Sequence, residues 1–207
     1  MLYAQPAHEF NLLNTQFSPY GTPFQCECDT VITHGNEADE SNIYVLLEGA
    51  MAIERQSQGM LYEMLSSPGI FGLSMGIQPC PVRYTLVAKT ACKGYFLPAS
   101  IALQLLETHQ LWREAFYLMT WKHRVLEARD LQLIGTSSYN QIRSTLLTMA
   151  EWDEALRARI GVMNYIQRRT QISRSVIAEV LAALRQGNYI EMQKGKLVSI
   201  NHLPHDY

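Results

Sequence analysis

The stretch from Ser173 to Ile190, SRSVIAEVLAALRQGNYI, constrains what this chain can become more than any other. At helical spacing Val176, Ile177, Val180, Leu181 and Leu184 fall on one stripe, while Ser175, Ala178, Glu179 and Ala182 fall on the other side. Ser173 suits the cap before the first turn, and Gly187 with Asn188 supplies the stop. One face is therefore built for a core. The other is small and polar, and its two alanines let a backbone approach closely, as insertion into a DNA major groove about 12 Å wide requires. An ordinary core helix has the same stripe, so the flanking residues must decide.

Upstream, Ile142 to Met149 reads as one helix and Asp153 to about Arg169 as another, with Thr170-Gln171-Ile172 as a short turn into the capped helix. Downstream, Tyr189–Met192 and Leu197–Ile200 flank Lys194-Gly195 as a β-hairpin. Helix, turn, helix, hairpin is the order of a winged helix-turn-helix.

The front of the chain has a different grain. From Thr22 to Leu97 it breaks into short β-prone runs. Phe24, Cys26, Cys28 and Thr30 alternate with polar residues as a half-buried strand would. Val31-Ile32 leads to a His34-Gly35-Asn36 turn, and Ile43–Leu47 and Ala50–Glu54 read as successive strands around a tight Glu48-Gly49 turn. Leu61–Leu65, Arg83–Ala88 and Cys92–Leu97 continue the series, which points to a small antiparallel barrel or roll. After Pro98 come a short helix, Ala99 to Glu107, and a long one, Leu111 to about Ile134, roughly 36 Å at 1.5 Å per residue. On the long helix Trp112, Phe116, Met119, Leu126 and Leu133 follow heptad-like spacing, and Ala115, Leu118 and Val125 lie on the neighbouring line. So wide an apolar surface is expected to pack on the roll with one side and on a second copy of the chain with the other. A helix internal to a monomer is the competing arrangement. Gly135-Thr136-Ser137-Ser138 is the clearest hinge. The expected α+β chain thus has a β-roll over 1–98, connecting and dimerisation helices over 99–135, and a winged helix-turn-helix over 136–207.

Charge agrees with that division. The net charge is only −2, which excludes a protein that coats nucleic acid indiscriminately. Residues 1–136 hold 8 Lys and Arg against 13 Asp and Glu, whereas residues 137–207 hold 9 against 6. The basic surplus lies where phosphates would be met. The N-terminus has neither a basic segment nor an apolar core of signal-peptide type, no run is long enough to span a membrane, and four cysteines in 207 residues fit free thiols in a reducing cytoplasm.

Several pieces together resemble the cyclic-AMP receptor and fumarate-nitrate regulator superfamily of bacterial transcription factors. They are the Ser173–Ile190 helix with its Lys194-Gly195-Lys196 wing, the segment YNQIRSTLLTMA from Tyr139 to Ala150, and, in front, Ile43–Gly49, the Gly69–Gly72 turn and Ala88-Lys89-Thr90-Ala91-Cys92. The resemblance covers nearly the whole chain, and within the superfamily it is greatest to the enterobacterial subgroup named as inhibitors of hydrogen peroxide resistance. It implies a cytoplasmic homodimer joined by the long helix, with each recognition helix in a major groove of a palindromic site on double-stranded DNA. By family position, Arg174, Ser175 and Glu179 are the base readers, beside Ser173. In the cyclic-AMP receptor the three readers are Arg, Glu and Arg, so only Arg174 keeps its type, and the operator is expected to differ. Arg174 suits guanine O6 and N7, and Glu179 faces phosphate or cytosine N4. Arg169, Thr170, Lys194 and Lys196 are expected at phosphates.

The effector cassette departs further. Nucleotide-binding relatives carry a Glu in the turn after the glycine at Gly69 and an Arg-Ser pair beyond it. Here GLSMGIQPCPVRYTLV has no acidic residue and sets Arg83 about one position away. No high-affinity cyclic-AMP binding is expected, and no effector is assigned. The four cysteines match the count of an iron–sulfur cluster, but not the clustered N-terminal spacing of cluster-bearing relatives. Cys26, Cys28 and Cys92 read as structural, and Cys80, between Pro79 and Pro81, is the candidate redox thiol. Gly72-Leu73-Ser74-Met75-Gly76 matches a hydrolase nucleophile elbow, yet Pro79 and Pro81 forbid the helix that motif needs and no βαβ alternation exists. The six histidines show no metal-ligand spacing. The expected protein is a sequence-specific DNA-binding regulator, not an enzyme, without cofactor or metal, and placed by resemblance in an oxidative-stress circuit. Its rivals are a cysteine-based or cluster-based redox regulator and a protein-interaction module with a degenerate helix-turn-helix.

Overall fold

The computed structural model describes residues 4–33, 42–56, 59–78 and 81–205. Its first element is helix α1 (Ala7–Phe17). Phe10, Leu13 and Phe17 share one face of it and are buried, as spacings of three and four residues dictate.

Eight strands follow: β1 (Thr22–Cys26), β2 (Val31–Thr33), β3 (Asn42–Glu48), β4 (Ala50–Arg55), β5 (Met60–Ser66), β6 (Gly69–Phe71), β7 (Tyr84–Ala88) and β8 (Cys92–Pro98). They pair antiparallel in two four-stranded sheets, ordered β1-β8-β3-β6 and β2-β7-β4-β5. A five-residue helix, α2 (Leu73–Ile77), stands between β6 and β7. This is the expected roll, with one local correction. The strand expected through Thr30 ends at Cys26, because Asp29 takes φ 66° and its N–H donates to Ala88 O at 2.8 Å. The strands expected on either side of the tight Glu48-Gly49 turn are present, and the turn is a corner between the sheets: β3 pairs with β6 and β8, whereas β4 pairs with β5 and β7. Gly49 makes the corner at φ 91°, where a Cβ would lie 2.3 Å from Ala91 O. The expected turn at His34-Gly35-Asn36 and the Cys80 site lie outside the described residues.

Period-two alternation sends β3 and β8 side chains to both faces of their sheet. Ile43, Val45, Tyr95 and Leu97 pack with α1 and with the helices after the roll. Tyr44, Leu46 and Cys92 turn inward against Met51, Ile53, Leu65, Phe71, Tyr84 and Leu86. Rings occupy much of that interior. Tyr84 meets Tyr62 at 5.0 Å and Phe71 at 5.6 Å between centroids, both edge-on, an arrangement that favours the ring quadrupoles.

Helices α3 (Ala99–Thr108) and α4 (Trp112–Leu133) come next. The chain divides into two compact units whose boundary falls inside α4, between Arg124 and Val125. In the first unit Ala102, Leu105, Leu106, Ala115 and Leu118 join the α1 core, and Lys122 pairs with Glu63 of β5.

The second unit adds α5 (Ser138–Ala150), α6 (Glu154–Arg159), α7 (Val162–Thr170), α8 (Arg174–Gln186) and the hairpin of β9 (Ile190–Gln193) with β10 (Lys196–Ile200). The single helix expected from Asp153 to Arg169 is two. Asp153 caps α6 by accepting from Leu156 N–H at 2.9 Å, but Ile160 and Gly161 are extended. The hairpin takes the groups that a continuous helix would use: Lys196 Nζ donates to Arg159 O, and Val162 N–H donates to Gly195 O at 3.0 Å. Ile142, Leu146, Met149, Leu156, Val162, Ile166, Ile177, Leu181, Leu184 and Leu197 form the buried interior. Among the described residues no helix is long and apolar enough to cross a membrane.

Candidate nucleic-acid interface

Helix α8 is the element around which the candidate surface is built. Ser173 is its N-cap, and its Oγ accepts from Val176 N–H at 3.4 Å. Ile177, Leu181 and Leu184 are buried, Val176 and Val180 half-buried. Ser173, Arg174, Ser175, Ala178, Glu179 and Ala182 are all exposed, so the face that the stripe leaves over is the solvent face. Ser173 Oγ and Ser175 Oγ share a hydrogen bond at 3.1 Å. Gln171, at φ 62°, ends α7 and turns the chain toward α8. At the far end Asn188 takes φ 59°, and Tyr189 N–H returns to Leu184 O at 2.9 Å.

The wing turns at Lys194 and Gly195, with φ 48° and 77°. Two successive positive φ values suit the twist of a two-residue hairpin loop. Lys194 is exposed there, a cation on a short loop.

The other residues expected at phosphates are engaged inside the protein. Arg169 is half-buried, donating from Nη1 to Tyr165 Oη at 3.4 Å and from Nη2 to Gln132 Oε1 at 3.2 Å. Thr170 Oγ1 donates to Ile166 O at 2.8 Å and accepts from Ile172 N–H at 3.2 Å, which stabilises the turn. Lys196 is the ligand of the Arg159 carbonyl described above. Helix-to-turn spacing placed these side chains near the end of α7 and on the wing, but their partners, Gln132 and Arg159, come from other elements and no local pattern names them.

The expected dimerisation residues separate by face. Ala115 and Leu118 are buried in the first unit's own core, with Met119 packed against it. Phe116 is 69% exposed and Trp112 41%, the indole N–H donating to Glu107 Oε2 at 2.6 Å. Val125 and Leu126, beyond the unit boundary, are half-buried. Tyr117, Leu131 and Ile134 extend the exposed apolar surface of the helix and its end.

In the roll, Arg83 is exposed, as a surface arginine is. Ser74 is also exposed, on the five-residue α2. Strand, turn and helix do follow one another there, but within antiparallel sheets, so the α/β setting of a nucleophile elbow is missing. Cys92 is buried and Cys26 and Cys28 are half-buried. Burial raises the Cys26 and Cys92 thiols above their ordinary range. Among the described residues no group of three or more His, Cys, Asp or Glu is placed to hold a metal ion.

Comparison with known proteins agrees with both ends. Residues 138–205 match the model of a family described as winged helix-turn-helix DNA binding, and residues 24–109 that of the cyclic nucleotide-binding domain. Over nearly their full lengths, the chain is similar to two proteins named inhibitor of hydrogen peroxide resistance. The one from Escherichia coli K12 is 48% identical, with 98% of each chain covered. The one from Salmonella typhimurium LT2 is 50% identical, with 99% of this chain and 98% of that one covered. Among solved structures, the c-di-GMP responsive global regulator CLP of Xanthomonas campestris superposes with a TM-score of 0.73 at 14% identity, covering 92% of this chain and 99% of its own. A CRP/FNR-family transcriptional regulator of Thermus thermophilus gives 0.57 at 18%, covering 86% and 94%. At such identities the structures speak for the fold.

Proposed function

The chain belongs to the family of the inhibitors of hydrogen peroxide resistance, within the CRP/FNR superfamily, and from that premise we propose that it is a homodimeric, cytoplasmic transcriptional regulator acting in an oxidative-stress response. It reads a palindromic operator with α8 and is not controlled by cyclic AMP. The observation that carries the reading is α8 itself, capped by Ser173, cored on Ile177, Leu181 and Leu184, and presenting Arg174 on an exposed small-residue face. A face of this kind, with a cation at its first turn, fits bidentate recognition of a guanine. Lys194 on the wing adds a phosphate contact that fixes register.

The roll over 1–98 serves as a sensor-like scaffold, the helices over 99–135 as connector and dimer seam, and 136–207 as the DNA-binding domain. Phe116 with Trp112 and Tyr117 supplies the apolar seam against a second copy. Two features favour independence from cyclic AMP: the cassette after Gly69 has no carboxylate for a ribose, and aromatic rings from Tyr44, Tyr62, Phe71, Tyr84 and Phe96 crowd the roll. Ser74 has no catalytic part in this reading.

Selection of bound fragments from a genomic library by the purified full-length protein, over a range of salt, tests it. The expected result is a palindromic motif with half-sites one helical turn apart, bound with steep salt dependence. A failure to retain any DNA at low salt would replace this reading with a protein-interaction role for the helix-turn-helix. Calorimetric titration with cyclic AMP is expected to show no micromolar binding.

A further inference from the structure

The last rung of the β1–β8 ladder pairs Cys26 with Cys92 as direct antiparallel neighbours. We propose that these two thiols are a redox pair that closes to a cross-strand disulfide when the protein meets hydrogen peroxide. This inference rests on the roll alone and holds whether or not α8 reads DNA.

Geometry favours this pair over the other cysteines. Directly opposed residues of an antiparallel ladder have Cα atoms about 4.5–5.5 Å apart, inside the range of about 4.4–6.8 Å that a disulfide spans. Their Cβ atoms emerge on the same side of the sheet, as the Cys26–Cys92 register requires. Cys28 lies two residues beyond Cys26 in the Asp29 turn, and its Sγ donates elsewhere, to Lys89 O at 3.3 Å.

Exposure divides the labour. Strand β1 is the outer strand of its sheet and Cys26 is half-buried, whereas Cys92 is buried. Peroxide therefore reaches Cys26. Its thiolate attacks one peroxide oxygen, the O–O bond breaks, and the products are the Cys26 sulfenic acid and hydroxide. The Cys92 sulfur then displaces the sulfenic oxygen as the S–S bond forms. Its proton leaves with that oxygen as water, so two thiols and one peroxide give one disulfide and two waters. Burial, which holds both thiols above the ordinary range, makes the first step slow at neutral pH and faster as pH rises. The pair is suited to sustained oxidant exposure.

Closure also has a structural consequence. In the reduced protein Cys92 Sγ donates toward Ala50 O at 3.4 Å and Thr90 O at 3.3 Å, and Thr90 Oγ1 accepts from Ala50 N–H at 2.9 Å. These contacts surround the Gly49 corner, where a Cβ would lie only 2.8 Å from Cys92 Sγ. Turning the sulfur toward Cys26 withdraws it from the point where the chain passes between the two sheets.

The test exposes the full-length protein to a few equivalents of hydrogen peroxide, blocks free thiols with N-ethylmaleimide, and reads intact mass and proteolytic peptides. The expected product has lost two hydrogens, contains a Cys26–Cys92 linked peptide, and reverts with dithiothreitol. Formation should be about 10-fold faster at pH 8 than at pH 7, following the thiolate fraction. Cys28→Ser and Cys80→Ser should still form it, whereas Cys26→Ser and Cys26→Ala should not. Circular dichroism first verifies that each variant is folded, and the linked peptide in wild-type protein stands by itself if a Cys26 variant is not. Full alkylation after exposure, a link through Cys28 or Cys80, or sulfinic acid without a disulfide would overturn the proposal.

Discussion

Arg169 reaches from the last turn of α7 to Gln132 at the end of α4, its Nη2 donating to the amide oxygen at 3.2 Å. The helix that precedes the recognition turn is thereby tied to the helix that leads into the same unit. Its other terminal nitrogen holds the buried Tyr165 hydroxyl. A guanidinium so occupied is expected to act within the fold. Arg169→Ala should therefore destabilise this unit by about 1–2 kcal/mol through the lost charged hydrogen bonds, read by urea unfolding. The slope of log affinity for DNA against log salt should stay unchanged. A phosphate contact would instead lower that slope by about one.

Lys194 and Arg174 should give the opposite pair of signatures. Both are exposed, one on the wing and one in the first turn of α8. Lys194→Ala is expected to weaken all sequences alike and to reduce the salt slope by about one, since a phosphate contact has no sequence preference. Arg174→Ala should cost about 1–3 kcal/mol at the preferred operator and relax specificity at a single base pair in each half-site. Binding measured on an operator and on its single-base variants separates the two.

Ser173 tests the helix that carries Arg174. Its Oγ accepts from the Val176 N–H, one of the amide groups that no intrahelical carbonyl satisfies. Ser173→Ala should cost about 1 kcal/mol of unfolding free energy, and Ser173→Asp should restore most of it, because Asp caps as well as Ser and its charge suits a helix N-terminus. Thermal or urea unfolding of the two variants side by side is the measurement.

The features legible in the sequence were those set by periods of two and of 3.6. The α8 stripe, its serine cap and the Lys194-Gly195 turn need only residues within a few positions of one another. Long-range partners escaped that reading. Nothing near Glu48-Gly49 says that β3 and β4 belong to different sheets, because pairing is decided by β6, β7 and β8 far along the chain. The break at Ile160-Gly161 is imposed by the hairpin through Lys196 and Gly195, although Asp153 as a cap and Gly161 as a helix breaker were local hints. Helix α1 shows its apolar face only at Phe10, Leu13 and Phe17, too few positions to declare a period. In the candidate site, the exposed positions of Arg174 and Lys194 follow from the α8 stripe and the hairpin turn, and the bonds of Thr170 are local, whereas those of Arg169 to Gln132 and of Lys196 to the Arg159 carbonyl depend on residues from other elements.

Gly94 sits where β8 crosses β3, paired in register with Leu46. A Cβ there would lie 2.1 Å from Val45 O and 2.9 Å from the tip of the Phe24 ring. The ring can move, but the backbone carbonyl is fixed by the ladder. Gly94→Ala should thus destabilise the roll by about 3 kcal/mol, the upper part of the range for overpacking. A melting temperature lowered by several degrees, with the DNA-binding unit's own transition unaltered, is the expected calorimetric result.

Alkaline pH should unfold the protein through its buried phenols. Burial raises Tyr44, Tyr95 and Tyr165 above the ordinary value of 10.0. The Asn42 hydrogen bond opposes the rise at Tyr44, and Arg169 opposes it at Tyr165. Tyr95 has burial alone to answer to, and its hydroxyl donates to Asn14 Oδ1 at 2.9 Å, a bond that needs the proton. The folded chain holds these protons more tightly than the unfolded chain. Their contribution is therefore fully present below about pH 10, and it declines as pH rises above 10 toward the folded-state values, because the unfolded state ionises first. Denaturant midpoints should be flat with respect to these groups through neutral pH and fall above pH 10, while tyrosinate absorbance lags that of the unfolded chain. Tyr95→Phe should flatten part of the alkaline decline, because the ring stays buried and the ionisable group is gone. A variant whose decline matched wild type would remove Tyr95 from this account.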